Sequence, residues 1–141
     1  MSPHQIDLVR NSFALVLPIA QTAADLFYKN LFDDQPQLRA LFKGDMGTQG
    51  VKLMQMIGAA VGLLDKPHVL VPVLRQLGTR HGGYGVKPAH YDAVGAALLK
   101  TLAQGLGDAF DARTRDAWIA MYTIVATTMI AAADEAAAVP A

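Results

Sequence analysis

The chain has no cysteine. That removes disulfides, thiolate metal ligands, thioether attachment of a cofactor and cysteine nucleophiles together. Net charge is missing too, because twelve basic residues balance twelve acidic ones. Nothing therefore argues for a nucleic-acid footprint or for attraction to an acidic membrane. Met1 to Arg10 carries His4, Asp7 and Arg10 within a polar–apolar alternation and does not read as a signal peptide. The most apolar stretch, Ala117 to Ala133, is interrupted by three threonines and preceded by Arg113, Arg115 and Asp116. It reads as too short and too polar to span a bilayer. Strand-like alternation and internal repeats are absent as well. What remains is a chain of 141 residues, expected to form one domain over residues 1–141 with loose ends near 1–3 and 134–141. The expected setting is the cytoplasm, as a monomer or weak homodimer without nucleic-acid or membrane partners.

What is present is helix, so the fold class is all-α. Ser2 followed by Pro3 is a cap with proline in the first turn. Ile6, Val9, Phe13, Val16 and Leu17 hold one stripe until Pro18 restarts the chain. From Ile19 the stripe runs through Ala23, Leu26, Phe27 and Leu31, and Asp33 to Pro36 is a turn. A short helical piece reaches Phe42, Lys43 to Gly47 form a loop, and Thr48 can cap a helix through Leu53, Ile57, Val61 and Leu64. Two more helices follow, one carrying His81 and one from Pro88 to Leu106 with Tyr91, Val94, Leu98 and Leu102 on one side. Gly107-Asp108 breaks the chain before a last helix that begins near Asp111 and buries Trp118, Tyr122, Val125 and Met129.

The organising stretch is Val69 to Leu99. Leu70, Leu74, Leu77 and His81 follow at spacings of four, three and four, which sets one imidazole on a leucine face. Gly82, Gly83 and Gly85 then end the helix. Taken alone, such a histidine is most often a core residue hydrogen-bonded to a carbonyl. Gly58 and Gly62 cost about 1 kcal/mol each inside a helix, which points to close approach by the helix of Phe27 and Leu31. Tyr28 and Gln49 are polar among apolar neighbours, and each alone fits a surface-reaching side chain.

The ordered set says more than its members. Phe27-Tyr28-x-x-Leu31-Phe32 precedes Pro36-x-Leu38-x-x-Leu41-Phe42; Gln49 and Lys52-Leu53-Met54 follow. Next come Leu77-Gly78-x-Arg80-His81-x-x-Tyr84-Gly85-Val86, His90-Tyr91-x-x-Val94-Gly95-x-x-Leu98-Leu99 and Ala117-Trp118-x-x-x-Tyr122. This resembles a single-domain bacterial globin of the flavohaemoglobin and neuroglobin-like branch, over about residues 5–130.

The resemblance implies a three-over-three helical sandwich around non-covalent haem b. His81 would be the proximal iron ligand through a neutral imidazole nitrogen. Phe42 would wedge against the porphyrin, and Leu53, Leu77, Val86, Val94 and Leu98 would line its faces. Tyr28 and Gln49 would be the distal pair, while Lys52, Arg80 and Tyr84 are candidates for the propionates. His4, His68 and His90 carry no such role. Tyr91 matches a tyrosine that, with a glutamate, backs the proximal histidine in flavohaemoglobins. The glutamate position falls on Ala133, with Asp134 and Glu135 just beyond, so the electron push of that pair carries over only if Asp134 or Glu135 takes the place of the glutamate.

A phenol donor in a low-dielectric pocket stabilises the partial negative charge of a dioxygen ligand and slows its release. The expected function is high-affinity binding of dioxygen, with carbon monoxide and nitric oxide as further ligands. Nitric oxide dioxygenation is the enzymatic alternative, and a haem-based sensor or regulatory module is the third. The chain has no Gly-x-Gly-x-x-Gly after a strand, so dioxygenation would require a separate reductase.

Overall fold

The computed structural model describes residues 1–138. Its helices are α1 (Pro3–Val16), α2 (Ala20–Asp34), α3 (Met46–Gly62), α4 (Pro67–Gly83), α5 (Pro88–Leu106) and α6 (Ala112–Ala138). Short 3-10 turns at Leu17–Ile19, Pro36–Leu41 and Gly107–Ala109 join them, and no strand occurs among the described residues. The all-α expectation holds. Pro3, Pro18, Pro36, Pro67 and Pro88 each open an element, where a missing N–H is no loss. Pro72 lies inside α4, on its exposed side.

Caps fix the helix starts. Ser2 Oγ accepts from the Gln5 amide at 3.1 Å, and the Gln5 side chain accepts from the Ser2 amide at 3.1 Å. The cap of α3 is Asp45 rather than the expected Thr48: its carboxylate accepts from the Thr48 N–H at 2.9 Å and hydroxyl at 3.0 Å. An ionised acceptor at the positive end of a helix outcompetes a neutral hydroxyl. Asp111 likewise accepts from the Thr114 amide at the start of α6. At the other end α6 continues through Ala138, so residues 134–138, expected to be loose, are helical. Residues 139–141 of the expected domain lie outside the described residues.

α6 packs chiefly on α4 and then on α1, while α2 packs on α5 and α3. The main core gathers Val9, Phe13 and Val16 of α1, Leu70 and Leu74 of α4, Leu102 of α5, and Trp118, Met121 and Met129 of α6. Trp118 is 1% exposed, and its Nε1 donates to Ser12 Oγ at 2.8 Å across the α1–α6 seam. Tyr122 and Val125, expected to be buried, are half-buried. A second cluster holds Phe27, Tyr28, Leu31, Leu38 and Ala97, flanked by Phe32, Phe42, Leu53, Val94 and Leu98.

Two expectations need correction. With 27 residues, α6 is long and apolar enough to cross a membrane, so the segment is not too short. One face of it packs into the core, where Ala117, Trp118, Met121, Met129 and Ala132 are buried. The glycine pair also behaves otherwise. A Cβ on Gly58 would meet the Phe13 ring of α1 at 3.5 Å, not the helix of Phe27 and Leu31, and one on Gly62 would meet nothing within 4 Å. The close approaches fall where helices cross. A Cβ on Gly78 would lie 2.2 Å from the Met129 carbonyl oxygen, and one on Gly50 would lie 3.0 Å from Ala24 Cβ.

Candidate functional site

His81 sits in the last turn of α4, below the buried Leu70 and Leu74; Leu77 and His81 themselves are half-buried. The helix stops just beyond it. The Tyr84 amide turns back to Arg80 and His81 carbonyls, and Gly85 adopts φ +88°, a conformation natural only to glycine. Val86 then returns its amide to the His81 carbonyl at 3.1 Å. The His81 Nδ1 lies 2.7 Å from the Leu77 carbonyl oxygen. A carbonyl can only accept, so Nδ1 carries a proton, and in the neutral form of the ring Nε2 keeps its lone pair. The two sequence readings of His81 are therefore compatible: one nitrogen serves as the core hydrogen-bond donor, and the other is left as a donor atom for a metal.

Phe42, Leu53, Leu77, Val86, Val94 and Leu98 are apolar, yet every one is half-buried rather than buried. Four of them come from three helices: Leu53 from α3, Leu77 from α4, Val94 and Leu98 from α5. Leu53 and Leu98, with Phe27, Met54 and Ile57, also line a small cavity of about 20 Å³. Lys52, Arg80 and Tyr84 are exposed, and neither cation forms an ion pair among the described residues. The Tyr84 and His81 ring centroids are 6.5 Å apart.

Tyr28, on α2, is buried in aromatic company. Phe27 and Phe42 meet it edge-on at 5.1 and 5.4 Å between centroids, and Phe32 stacks at 5.9 Å. Burial pushes its phenol up to about 12, so it stays a protonated donor at neutral pH. The hydroxyl donates to the main-chain carbonyl of Gln49 at 3.2 Å. The fold thus brings Tyr28 and Gln49 together, but the Gln49 side chain turns to the loop, where Nε2 donates to the Lys43 carbonyl at 3.0 Å.

On α5 the Tyr91 hydroxyl is buried without a hydrogen-bond partner. Its main-chain carbonyl accepts from the Tyr122 hydroxyl at 2.6 Å, and burial raises both phenols. A Cβ on Gly82 would lie 3.0 Å from Ala133 Cβ, so Ala133 packs beside the turn that carries His81. Of the carboxylates beyond, Glu135 is ion-paired with Arg75 and Asp134 is exposed. His90 is occupied in capping α5, accepting from the Lys87 amide at 2.9 Å. Sequence reasoning missed Gly50 and Gly78, which let α3 and α4 reach their neighbours. The usable signal was Gly78 and Gly82, four apart on the His81 helix.

Fold and sequence together define an all-helical sandwich with a set of half-buried apolar side chains and one histidine in the last turn of α4. The globin family model matches residues 25–129, and the chain belongs to the globin family, whose members bind haem. It is 31% identical over 131 residues to a flavohemoprotein of Xylella fastidiosa, covering 91% of this chain and 33% of that one. The chain thus spans about a third of the length of such flavohemoproteins. A neuroglobin of Tetraodon nigroviridis is 44% identical over 78 residues, covering 55% of this chain and 49% of that protein. A bacterial globin from Campylobacter jejuni superimposes with a TM-score of 0.82 at 25% identity, covering 95% and 97% of the two chains. An engineered carbene transferase, a candidate nitric oxide dioxygenase from Rhodothermus marinus, gives 0.87 at 24% identity over 98% and 96%, a likeness of fold alone.

Proposed function

We propose that this globin holds haem b non-covalently, with His81 as its protein ligand, and binds dioxygen reversibly and with high affinity in the cytoplasm. Carbon monoxide and nitric oxide are further ligands of the same pocket. The observation that carries the reading is the 2.7 Å approach of His81 Nδ1 to the Leu77 carbonyl, which engages Nδ1 as a donor and leaves Nε2 as the nitrogen available to a metal. The surroundings fit the same group: apolar, half-buried Phe42, Leu53, Leu77, Val86, Val94 and Leu98 suit a flat apolar ring, and unpaired Lys52 and Arg80 with Tyr84 suit two carboxylates.

Haem, when bound, supplies an iron centre for a diatomic gas. The chain's residues do the rest. His81 presents a neutral imidazole held by a carbonyl, and the apolar side chains exclude water. Tyr28 keeps its proton at Oη because burial disfavours the phenolate, and so offers one donor to a ligand bearing partial negative charge. Behind His81 the acceptor is a neutral carbonyl; Ala133 has no carboxylate and Glu135 is engaged by Arg75. The flavohaemoglobin-like push is not part of this proposal.

A second reading, nitric oxide dioxygenation, draws on the same Tyr28 donor and on relatives named flavohemoprotein. It requires electrons from a separate reductase. The test is the visible spectrum of purified protein, oxidised and then reduced under carbon monoxide, beside that of His81→Ala. The parent should give a haem–carbon monoxide spectrum and the variant should lose most of its haem on gel filtration. Full haem content with an unchanged ferrous spectrum in the variant would sink the assignment.

A further inference from the structure

A phenol has one proton to give, and Tyr28 already gives it to the main-chain carbonyl of Gln49 at 3.2 Å. The Gln49 amide meanwhile donates away from Tyr28, to the Lys43 carbonyl. We propose that Gln49 is a positioning residue: its side chain latches the Lys43–Asp45 loop to the first turn of α3, and its carbonyl holds the Tyr28 proton that a gas ligand must win. The inference rests on the reading of Tyr28 as the pocket donor.

Five local features place that carbonyl. Gly44 turns the loop at φ +88°, which only glycine adopts without strain, between the Lys43 carbonyl and the Asp45 cap. Asp45 accepts from the Thr48 amide at 2.9 Å, and the Gln49 amide donates to the Asp45 carbonyl at 3.1 Å. The latch from Gln49 Nε2 to Lys43 closes the same turn at 3.0 Å. Gly50, next along, lets α3 approach α2 to the point where a Cβ would lie 3.0 Å from Ala24 Cβ and 4.0 Å from the Tyr28 ring. A Cβ at 50 would press on α2 across this contact, so Gly50 lets the first turn of α3 lie close beside Tyr28.

The distance also bears on selectivity. At 3.2 Å the bond is long for O–H···O, whose usual value is about 2.7–2.8 Å, so it is readily surrendered. A ligand with partial negative charge is a stronger acceptor than a neutral carbonyl and takes the proton. A weakly polarised ligand such as carbon monoxide leaves it where it is. Discrimination then reflects the difference between two hydrogen bonds, one of them internal to the chain.

The experiment compares haem-loaded Gln49→Leu and Gln49→Glu with the parent and with Tyr28→Phe. Leucine keeps the bulk and removes the donor; glutamate presents only acceptors to the Lys43 carbonyl. In both, amide hydrogen exchange across residues 43–50 should quicken about fivefold, the factor for losing one hydrogen bond of ordinary net strength. Oxygen dissociation should slow by up to the same factor of about five, because a carbonyl no longer held in place competes less well for the Tyr28 proton. Faster release, an unchanged release rate, or an unchanged exchange profile would each overturn the proposal. Tyr28→Phe separates the failures. If it leaves oxygen dissociation unchanged, the pocket reading falls; if it and the Gln49 variants all speed release, only the positioning role falls.

Discussion

Gly78→Ala tests the frame that carries His81. A Cβ at this position would lie 2.2 Å from the Met129 carbonyl oxygen, 2.5 Å from its Cα and 2.7 Å from its carbonyl carbon. All three are backbone atoms, so no side-chain rotation relieves the clash. Restoring a contact near 3.5 Å requires α4 and α6 to part by roughly 1 Å. Overpacking of this kind costs about 3 kcal/mol at the upper end of its usual range. Alanine returns about 1 kcal/mol of helix propensity, leaving a net loss of about 2 kcal/mol. For a chain of this length that is a fall of roughly 6–10 °C in Tm. Gly58→Ala is the control: its Cβ would meet the Phe13 ring at an ordinary 3.5 Å, so the propensity gain of about 1 kcal/mol should raise Tm by a few degrees. Thermal melts followed by far-ultraviolet circular dichroism measure both. If Gly78→Ala melted at or above the parent, the backbone-close crossing of α4 and α6 would be wrong.

Other outcomes follow from the site. Tyr28→Phe should speed oxygen release at least about tenfold, since a hydrogen bond to a charged group is worth roughly 1.5–3 kcal/mol and 1.4 kcal/mol is tenfold; stopped-flow release into dithionite and carbon monoxide would show it, and an unchanged rate would place Tyr28 away from the ligand. The reduced protein should show one broad visible band of five-coordinate haem, because α3 carries no histidine, Lys52 is exposed, and Met54 packs against the core cluster of Phe13 and Trp118; a sharp split pair at neutral pH would mean an internal sixth ligand. The acid limb of stability should come from Asp45, Asp65 and Asp111. The Thr48 and Thr114 amides hold Asp45 and Asp111 below the usual carboxylate range, and Arg10 does so for Asp65. A lowered folded value means stability that is complete above the unfolded value, near 3.9, and is lost as pH falls through the folded one. Denaturant midpoints taken from neutral pH down to acid should therefore fall only below about pH 4, less steeply in Asp45→Asn with Asp111→Asn, since asparagine caps without titrating. A parallel acid profile in that double variant would contradict the assignment.

Much of this molecule was legible in the chain itself. Proline placement and apolar periodicity locate the helices, because both act within a few residues. The face of Leu70, Leu74, Leu77 and His81 survives intact for the same reason. Contacts between helices were not legible. Gly58 and Gly62 attract notice as a pair inside a helix, but whether a glycine meets a backbone depends on where two helix axes cross, which no local pattern states. Gly78 is such a crossing point, and its partner lies more than fifty residues away at Met129. The direction of the Gln49 side chain was hidden for a related reason: an amide can serve pocket or loop, and the deciding acceptor, a main-chain carbonyl, leaves no trace in residue type. Thr48 lost the cap of α3 to Asp45 because the helix opens three residues earlier, which leaves Thr48 inside the first turn with its amide and hydroxyl both donating to the Asp45 carboxylate.

Trp118 gives the protein an optical property that can be used directly. It is the sole tryptophan, it is sealed in the seam between α1 and α6, and its indole N–H is bound to Ser12. Emission from this protein therefore reports on a single address. Opening of the α1–α6 seam would move the emission to longer wavelength, whereas loosening confined to the loop at Lys43 would leave its colour unchanged. A porphyrin within energy-transfer range would dim it without changing its colour. Colour and brightness thus separate loss of packing from gain of pigment in one cuvette, with no label attached.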